Sequence, residues 1–366
     1  MGGKKVLVGM SGGIDSSVTA HLLASQGYDV QGVTMTLWRN GPHPVSSIVA
    51  DACFSPNEKK DVEKSAEICR KLGISHFVLD VSDAYEKIVL GDFRSEYAAG
   101  RTPNPCVLCN EKIKFGAMVE SARKAGIAFD FFATGHYARV VRKNGRFAIA
   151  RAKDDFKDQS YFLHRLHQEQ LGMVMFPLGD MTKAEVRKID VALGFHPEGQ
   201  SESMDFYSGD YADLLNLPPR KGNIVDCDGK VVGSHDGYWN YTIGQRKGLG
   251  IGGSAHPLYV ISIVPERNEV VVGASELTKN REISASNLSF MGISEEMANG
   301  EYREYHDGFA KIRSAGKPSP CRFRILGERL EIAFETPVLS ACCGQSAVVY
   351  GDDGVVMIGG IIDSVR

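Results

Sequence analysis

Val6-Leu7-Val8-Gly9-Met10-Ser11-Gly12-Gly13-Ile14-Asp15-Ser16-Ser17 opens on an apolar run, breaks into paired glycines and continues as a helical pattern. A strand, glycine turn and helix in that order is the usual geometry for holding phosphate, with a serine-capped turn that binds nothing as the other reading. The glycines let the backbone approach an anion, and the serines and free N–H groups of the helix start supply donors. ATP is therefore the first substrate to consider. Val18, Leu22 and Leu23 recur at helical spacing, Ser16 or Ser17 is placed to cap the helix, and Gly27 to stop it. The GxxxxGK[ST] pattern of kinase-type loops needs a lysine that is absent here, so a different phosphate chemistry is expected.

A chain of 366 residues is too long for one compact core and predicts two or three domains. Hydrophobic residues are 43% and charged residues 24%, the composition of a soluble globular protein. No apolar stretch approaches membrane-spanning length and the N-terminus lacks a signal-peptide core, so a cytoplasmic protein with no membrane partner is expected. Eight cysteines are too sparse for a disulfide scaffold, which leaves their spacing as the informative feature. The net charge of -3 argues against indiscriminate polyanion binding while leaving room for local basic faces. Arg139, Arg142, Lys143, Arg146, Arg151, Lys153 and Lys157 fall close together, Arg246 and Lys247 follow a turn, and Lys311, Arg313, Lys317, Arg322 and Arg324 lie near the end.

Up to about residue 205, apolar runs at Val30 to Leu37, Phe77 to Val81 and Phe131 to Thr134 alternate with helical patterns at Asp61 to Leu72 and Lys112 to Ala125. That alternation predicts an α/β domain with a parallel sheet, whose ligands collect at the carboxyl ends of the strands. The glycine loop and Thr134-Gly135-His136-Tyr137 both fall at such ends. Farther on, short alternating strands with turns such as Asp228-Gly229, Arg267-Asn268 and Asp353-Gly354 predict β structure. The stretch Gly244 to Gly253 is too glycine-rich for regular structure and is expected to be a close-approach loop. A fresh strand series begins near residue 281, giving domains at 1–205 (nucleotide-binding α/β), 206–280 (small, β-rich) and 281–366 (β barrel).

A second constellation, Gly100-Arg101-Thr102-Pro103-Asn104-Pro105-Cys106-Val107-Leu108-Cys109-Asn110-Glu111-Lys112, joins two prolines, a CxxC and a basic helix. The prolines predict an extended loop with exposed cysteines. At a helix N-terminus beside Lys112 and Lys114, Cys109 should carry thiolate character, as sulfur chemistry requires. A pair of inert thiols and half of a structural zinc site are the other readings of CxxC. Cys53 sits in a loop-like segment; Cys69, Cys227, Cys321, Cys342 and Cys343 are expected to be structural.

Read as SGGxDS, the first loop resembles that of the ATP pyrophosphatases, or PP-loop enzymes, which cleave ATP between its alpha and beta phosphates and activate carbonyl oxygens with AMP. The whole chain resembles the bacterial tRNA-specific 2-thiouridylases, ATP-dependent sulfurtransferases that convert the wobble uridine of certain tRNAs to 2-thiouridine. The resemblance rests on GMSGGIDSS from Gly9, GRTPNPCVLCNEKIKFG from Gly100, ATGHY from Ala133, KDQSYFL from Lys157, FPLGDMTKAEVRKI from Phe176, TIGQRKGLGIGG from Thr242 and GQSAVVY from Gly344, in that order. It implies that Gly9, Met10, Ser11, Gly12, Gly13, Ile14, Asp15 and Ser16 hold ATP phosphates, with Met35, Gly135 and His136 completing the nucleotide site. Asp15 would help place a magnesium ion. Asn104, Pro105 and Cys106 would face an extruded uridine, and Lys157, Asp158, Gln159, Arg313, Ser314 and Gln345 would meet the tRNA. Lysine, glutamate and glutamine tRNAs are the implied substrates, and a cysteine desulfurase or sulfur-relay protein the implied sulfur donor.

The implied mechanism adenylates uridine O2 and lets sulfur displace AMP from C2, with Cys109 at the catalytic-cysteine position. Familiar members of that group carry aspartate where this chain has Cys106, and a second catalytic cysteine where it has Asp205. An aspartate cannot carry a persulfide. The shared inventory of two thiolates and one carboxylate suggests joint ligation of a 4Fe-4S cluster by Cys106, Cys109 and Asp205, with an open iron carrying hydrosulfide. A persulfide relay within the CxxC is the rival, and Asp205 as a plain surface residue a third reading. A catalytically idle tRNA-binding protein on the same scaffold, or another PP-loop adenylating enzyme, are the competing functions.

Overall fold

The computed structural model describes residues 3–38, 54, 58–197, 199, 206–207, 211–252 and 256–366. The chain divides into two compact units, one of Met1–Val89, Pro105–Asp210 and Gly354–Val356, the other of Leu90–Asn104, Tyr211–Asp353 and Met357–Arg366.

In the first unit, strands β1 (Lys5–Gly9), β2 (Asp29–Thr36), β3 (Ser75–Asp80) and β4 (Phe131–Ala133) are followed by a hairpin of β5 (Ala138–Lys143) and β6 (Arg146–Arg151), and then by β7 (Val174–Met175). Five of them form a parallel sheet in the order β3-β2-β1-β4-β7, as the alternation of apolar runs and helices predicts. Val6, Leu7 and Val8 are fully buried, the continuous apolar reading of a central parallel strand. Helix Ile14–Ser25 packs Ala20 and Leu23, and helix Glu58–Leu72 packs Ile68 and Cys69, against Val6, Val8 and Val30. The chain steps outward from β1 through β2 to β3, then resumes on the other side with β4 and β7. That reversal makes the β1/β4 edge the switch point, where ligands of such sheets bind.

The second unit is mostly β. Strands β8 (Gly222–Val225), β9 (Val231–His235), β10 (Tyr259–Val264) and β11 (Glu269–Gly273) form a sheet in the order β10-β11-β8-β9. The Asp228-Gly229 turn is tied by Asp226, whose Oδ1 accepts from the N–H groups of Asp228 at 3.0 Å and Lys230 at 2.9 Å. Gly244 approaches so close that an added Cβ would collide with Ser340. Strands β12 (Lys279–Phe290), β13 (His306–Lys311), β14 (Ser319–Leu326), β15 (Arg329–Leu339), β16 (Ser346–Tyr350) and β17 (Val356–Val365) close a barrel filled by Ile283, Phe323, Ile332, Val349 and Ile358. Among the described residues no helix is long and apolar enough to cross a membrane.

Two local expectations are corrected. Gly13, with extended φ -94°, is the N-cap of the first helix, while Ser16 and Ser17 lie inside the first turn and donate back to the Gly13 carbonyl at 3.1 and 2.8 Å. The helix still stops at Gly27, which has φ +86° just past the C-cap Gln26. The CxxC does not lie in an extended loop: helical structure begins at Pro105–Leu108 and continues through a π-helical Cys109–Ala117 into Met118–Lys124. Proline fits the first helical position because the N–H it lacks would have had no partner there.

Candidate active site

The carboxyl ends of β1 and β4 lie side by side, with Val8 paired to Ala133. The glycine loop leaves β1 there, and Thr134-Gly135-His136-Tyr137 leaves β4. Gly135 passes so close to the first helix that a Cβ would sit 2.8 Å from the Asp15 carbonyl carbon and 2.9 Å from the Ser16 nitrogen. Only glycine fits that crossing. Within the loop, the Ser11 N–H donates to Ser16 Oγ at 3.2 Å and the two hydroxyls lie 3.3 Å apart. Gly12 adopts φ +72°, a left-handed conformation that glycine takes without strain. Met10 is fixed by its N–H to the Val33 carbonyl at 2.7 Å, and Thr34 Oγ1 donates to the Met10 carbonyl at 3.1 Å. Met35, half-buried, follows two residues beyond Val33, the register partner of Gly9. Gly9 to Ser16, Met35, Gly135 and His136 thus gather at one edge of one sheet.

Asp15 is not left alone at the mouth of this edge. Its Oδ1 accepts from Lys183 Nζ at 2.7 Å and from the Tyr137 hydroxyl at 2.9 Å, and Lys183 Nζ lies 5.8 Å from the centre of the Tyr137 ring. The Asp15 side chain keeps about a third of its exposure, at 32%, so its carboxylate faces both a buried cation and the open edge. One carboxylate plus substrate phosphates is an ordinary donor set for magnesium, so Asp15 fits that role. His136 is buried, its Nδ1 2.6 Å from Thr134 Oγ1 and its ring against Phe115 and Phe176. Burial, and then the nearby Lys114, hold its pKa well below the usual histidine range, so the ring is neutral at pH 7.

Cys106 falls in the first helical turn after Pro105 and Cys109 one turn later, both half-buried. Cys106 therefore lies nearer the positive end of the helix than Cys109 does. This helix is anchored to the sheet by Phe115, whose ring meets Phe132 at 5.5 Å and His136 at 5.8 Å. Next to Cys109, the buried Glu111 carboxylate takes Arg165 Nε at 2.5 Å, Lys112 Nζ at 2.7 Å and His167 Nε2 at 3.3 Å. Its burial raises the pKa, but the hydrogen bonds and charges of Arg165 and Lys112 outweigh that and leave it below the usual value. Asp205 and Cys53 lie outside the described residues, although their neighbours Phe206 and Phe54 are joined by a backbone hydrogen bond of 2.8 Å. Among the described residues no group of three or more His, Cys, Asp or Glu side chains is arranged to hold a metal ion. The 4Fe-4S expectation therefore has two of its three ligands on one helix and depends on Asp205 for the third.

The expected RNA-facing residues separate into two kinds. Asp158 is corrected: its side chain is buried, with Oδ1 accepting from the Ala152 and Ser160 N–H groups at 3.1 and 3.2 Å and Oδ2 from the Ser160 hydroxyl at 2.9 Å. It shapes the loop rather than facing solvent. Gln159 is likewise engaged, accepting from the Tyr137 N–H at 2.9 Å, while Lys157 is half-buried. In the second unit Arg313 and Ser314 are exposed after β13, and Asn104 is half-buried. Gln345 Nε2 donates to the carbonyls of Thr102 at 3.0 Å and Pro103 at 2.9 Å, so it holds the strip that leads to Asn104. Lys311, counted in a basic cluster, is buried in the barrel wall.

Sequence reading missed three groups. Lys183 lies in the FPLGDMTKAEVRKI block, but nothing in its local spacing reveals the partner 168 positions away. Phe156 is 95% exposed, in a turn where Asp154 Oδ1 accepts from the Phe156 and Lys157 N–H groups at 3.1 and 3.3 Å. The His196 side chain is enclosed behind Gly12 by contacts no motif announces.

The chain matches three family models: one described as tRNA methyl transferase HUP domain over residues 4–207, one as tRNA methyl transferase PRC-barrel domain over 215–274, and one as aminomethyltransferase beta-barrel domain over 280–362. It is 43% identical to a tRNA-specific 2-thiouridylase of Endomicrobium trichonymphae, covering 98% of each chain. It is 40% identical to the same-named protein of Geobacter metallireducens, over 99% of this chain and 97% of that one. A Clostridium botulinum protein of that name is 39% identical over 99% of this chain and 98% of its own. With a phosphate loop at the switch point, a paired-cysteine helix against the same sheet and this identity from end to end, the chain belongs to the tRNA-specific 2-thiouridylase family.

Proposed function

We propose that this protein is a cytoplasmic ATP-dependent tRNA-uridine 2-sulfurtransferase acting on the wobble uridine of lysine, glutamate and glutamine tRNAs. The observation that carries the reading is the packing of Phe115 on Phe132 and His136, which anchors the cysteine helix to the sheet edge that ends in the glycine loop. Activation and sulfur transfer are thereby served by one unit.

Gly9 to Ser16 bind the ATP phosphates, and Asp15 holds magnesium, which when bound neutralises the departing pyrophosphate. Lys183 orients the Asp15 carboxylate. Neutral His136 orients through Thr134 without adding charge. Uridine O2 attacks the alpha phosphorus, the bond to pyrophosphate breaks, and O2 becomes part of a phosphate-ester leaving group. Sulfur then forms a bond to C2 and AMP departs. Asn104, Pro105 and Cys106 face the flipped base, while Lys157, Gln159, Arg313, Ser314 and Gln345 position the tRNA, with Asp158 contributing through the loop it shapes. The sulfur comes from a cysteine desulfurase, directly or through a relay protein.

Cys106, Cys109 and Asp205 would hold a 4Fe-4S cluster, which when bound supplies an open iron for hydrosulfide. The two thiols one helical turn apart support that ligation. They equally suit a persulfide on one and resolution by the other. Methyl transfer, named in two of the matching models, gives a phosphate cradle and paired thiols no task.

The test is AMP release and 2-thiouridine formation with tRNA, ATP, cysteine and a cysteine desulfurase as sulfur donor, using protein purified without oxygen and assayed for iron and sulfide. AMP release that depends on tRNA excludes an idle binding protein. Iron and activity lost together in Asp205→Ala support the cluster, whereas full thiolation by iron-free protein overturns it in favour of the persulfide.

A further inference from the structure

His196 follows the helix Lys183–Leu193 and its C-cap Gly194, and its ring stands behind the glycine loop. Nε2 lies 2.9 Å from the Gly12 carbonyl, and Nδ1 lies 2.7 Å from Asp190 Oδ1. Both side chains are almost fully enclosed, with 5% and 3% exposure. A carbonyl oxygen and a carboxylate only accept, so Nε2 donates to Gly12 and Nδ1 donates to Asp190, which fixes the ring. The chain Asp190–His196–Gly12 therefore ends on the backbone of the phosphate loop, and none of its side chains is among those assigned to ATP.

We infer that Asp190 and His196 form a positioning pair that aims the Gly13 N–H at the ATP phosphates by holding the Gly12 carbonyl on the far side of the loop. The physical reason is the trans peptide: the C=O of Gly12 and the N–H of Gly13 belong to one plane and point in opposite directions. Gly12, at φ +72°, and its neighbour Gly13 have the freedom to rotate that plane and turn a carbonyl toward the anion. A donor fixed on the carbonyl removes that freedom before ATP arrives. The donor set of the loop is then preorganised, and the ordering cost of binding falls. His196 touches no substrate in this arrangement and acts through Gly12 alone.

This inference rests on the reading of the loop as an ATP site, and the experiment keeps the two separable. Binding of a non-hydrolysable ATP analogue is measured without tRNA for the full chain and for His196→Ala, His196→Gln and Asp190→Asn, alongside thermal melting and the steady-state kinetics of tRNA-dependent AMP release. In His196→Ala the Kd of the analogue is expected to rise about tenfold, the loss of one buried donor. KM for ATP should follow while kcat at saturating ATP stays close to that of the parent. His196→Gln, whose amide still donates to the carbonyl, should recover most of the affinity, and Asp190→Asn should lie between. A folded His196→Ala with unchanged Kd overturns the pair's role. If that variant does not fold, unchanged Kd in Asp190→Asn, which preserves shape and volume, overturns it instead. A parent protein that binds the analogue but forms no 2-thiouridine fails the thiolation reading and leaves the pair standing.

Discussion

At Gly135 the site tolerates no side chain at all. A Cβ there meets the carbonyl carbon and Cβ of Asp15 and the nitrogen of Ser16, at 2.8 to 2.9 Å, and none of these can swing aside as a flexible side-chain tip would. Gly135→Ala should therefore push the first helical turn out of line, and ATP-dependent AMP release is expected to fall at least about a hundredfold, as for loss of a preorganised donor set. An unchanged rate would show that the crossing is not part of the nucleotide site. Lys183→Met tests the next residue along. It leaves Asp15 with only the Tyr137 hydroxyl among its two Oδ1 partners, and kcat for AMP release is expected to drop on the order of a hundredfold, with partial recovery in Lys183→Arg. Glycine loops and CxxC pairs are legible in sequence because their chemistry needs neighbours at fixed short spacing, as in Ser11 to Ser16 and Cys106 to Cys109. Lys183 and His196 are not, because each reaches its partner across well over a hundred positions, a juxtaposition that only the closed sheet produces.

The cysteine helix is held from below by charge. Glu111 is buried two residues past Cys109 and shared among Arg165, Lys112 and His167, while Gln170 donates to the Glu111 and Phe115 carbonyls at 3.0 and 3.1 Å. Its folded-state pKa lies below the ordinary 4.5, because Arg165 and Lys112 outweigh the desolvation that burial imposes. A carboxylate with a depressed pKa binds protons more readily when unfolded. Its stabilisation is thus complete above the unfolded value and is lost as pH falls through the folded one. Unfolding of the parent measured from pH 7 down to pH 3 should show this loss below about pH 4.5, and Glu111→Gln should not show that component. At pH 7 the variant removes the buried charge that faces Arg165 and Lys112, at a cost on the order of 3 kcal/mol. Equal acid sensitivity in both proteins would mean that Glu111 is not what titrates. The same element shows why its start is hard to read: Pro105 closes an extended reading and opens a helix with equal ease, and only the intact turn Pro105–Leu108 decides between them.

Over the whole molecule the charge of -3 leaves little long-range attraction for an RNA, and several basic residues are paired with carboxylates. Arg139 faces Asp180, Arg151 faces Asp155 and Asp158, Lys153 faces Glu185, and Arg324 faces Glu331. Recognition of tRNA must then lean on placed contacts more than on a basic surface. In the first unit the exposed Phe156, beside Lys157 in a turn tied by Asp154, is suited to stacking on a base, a contact worth about 1–3 kcal/mol. In the second, Gln345 ties down the carbonyls of Thr102 and Pro103 ahead of Asn104. Neither residue is among those assigned to ATP, so the two should separate tRNA recognition from ATP handling. Phe156→Ala is expected to raise KM for tRNA about tenfold with the Kd of an ATP analogue unchanged, and Phe156→Trp to restore it, since any aromatic face stacks. Gln345→Ala frees the strip that the resemblance places against the target uridine, so it should lower kcat for thiolation more than it raises KM for tRNA, again without moving ATP affinity. Parallel loss of ATP binding in either variant would mean that the substitution disturbs the fold instead of the RNA contact, and an unaltered tRNA KM in Phe156→Ala would remove that ring from the interface.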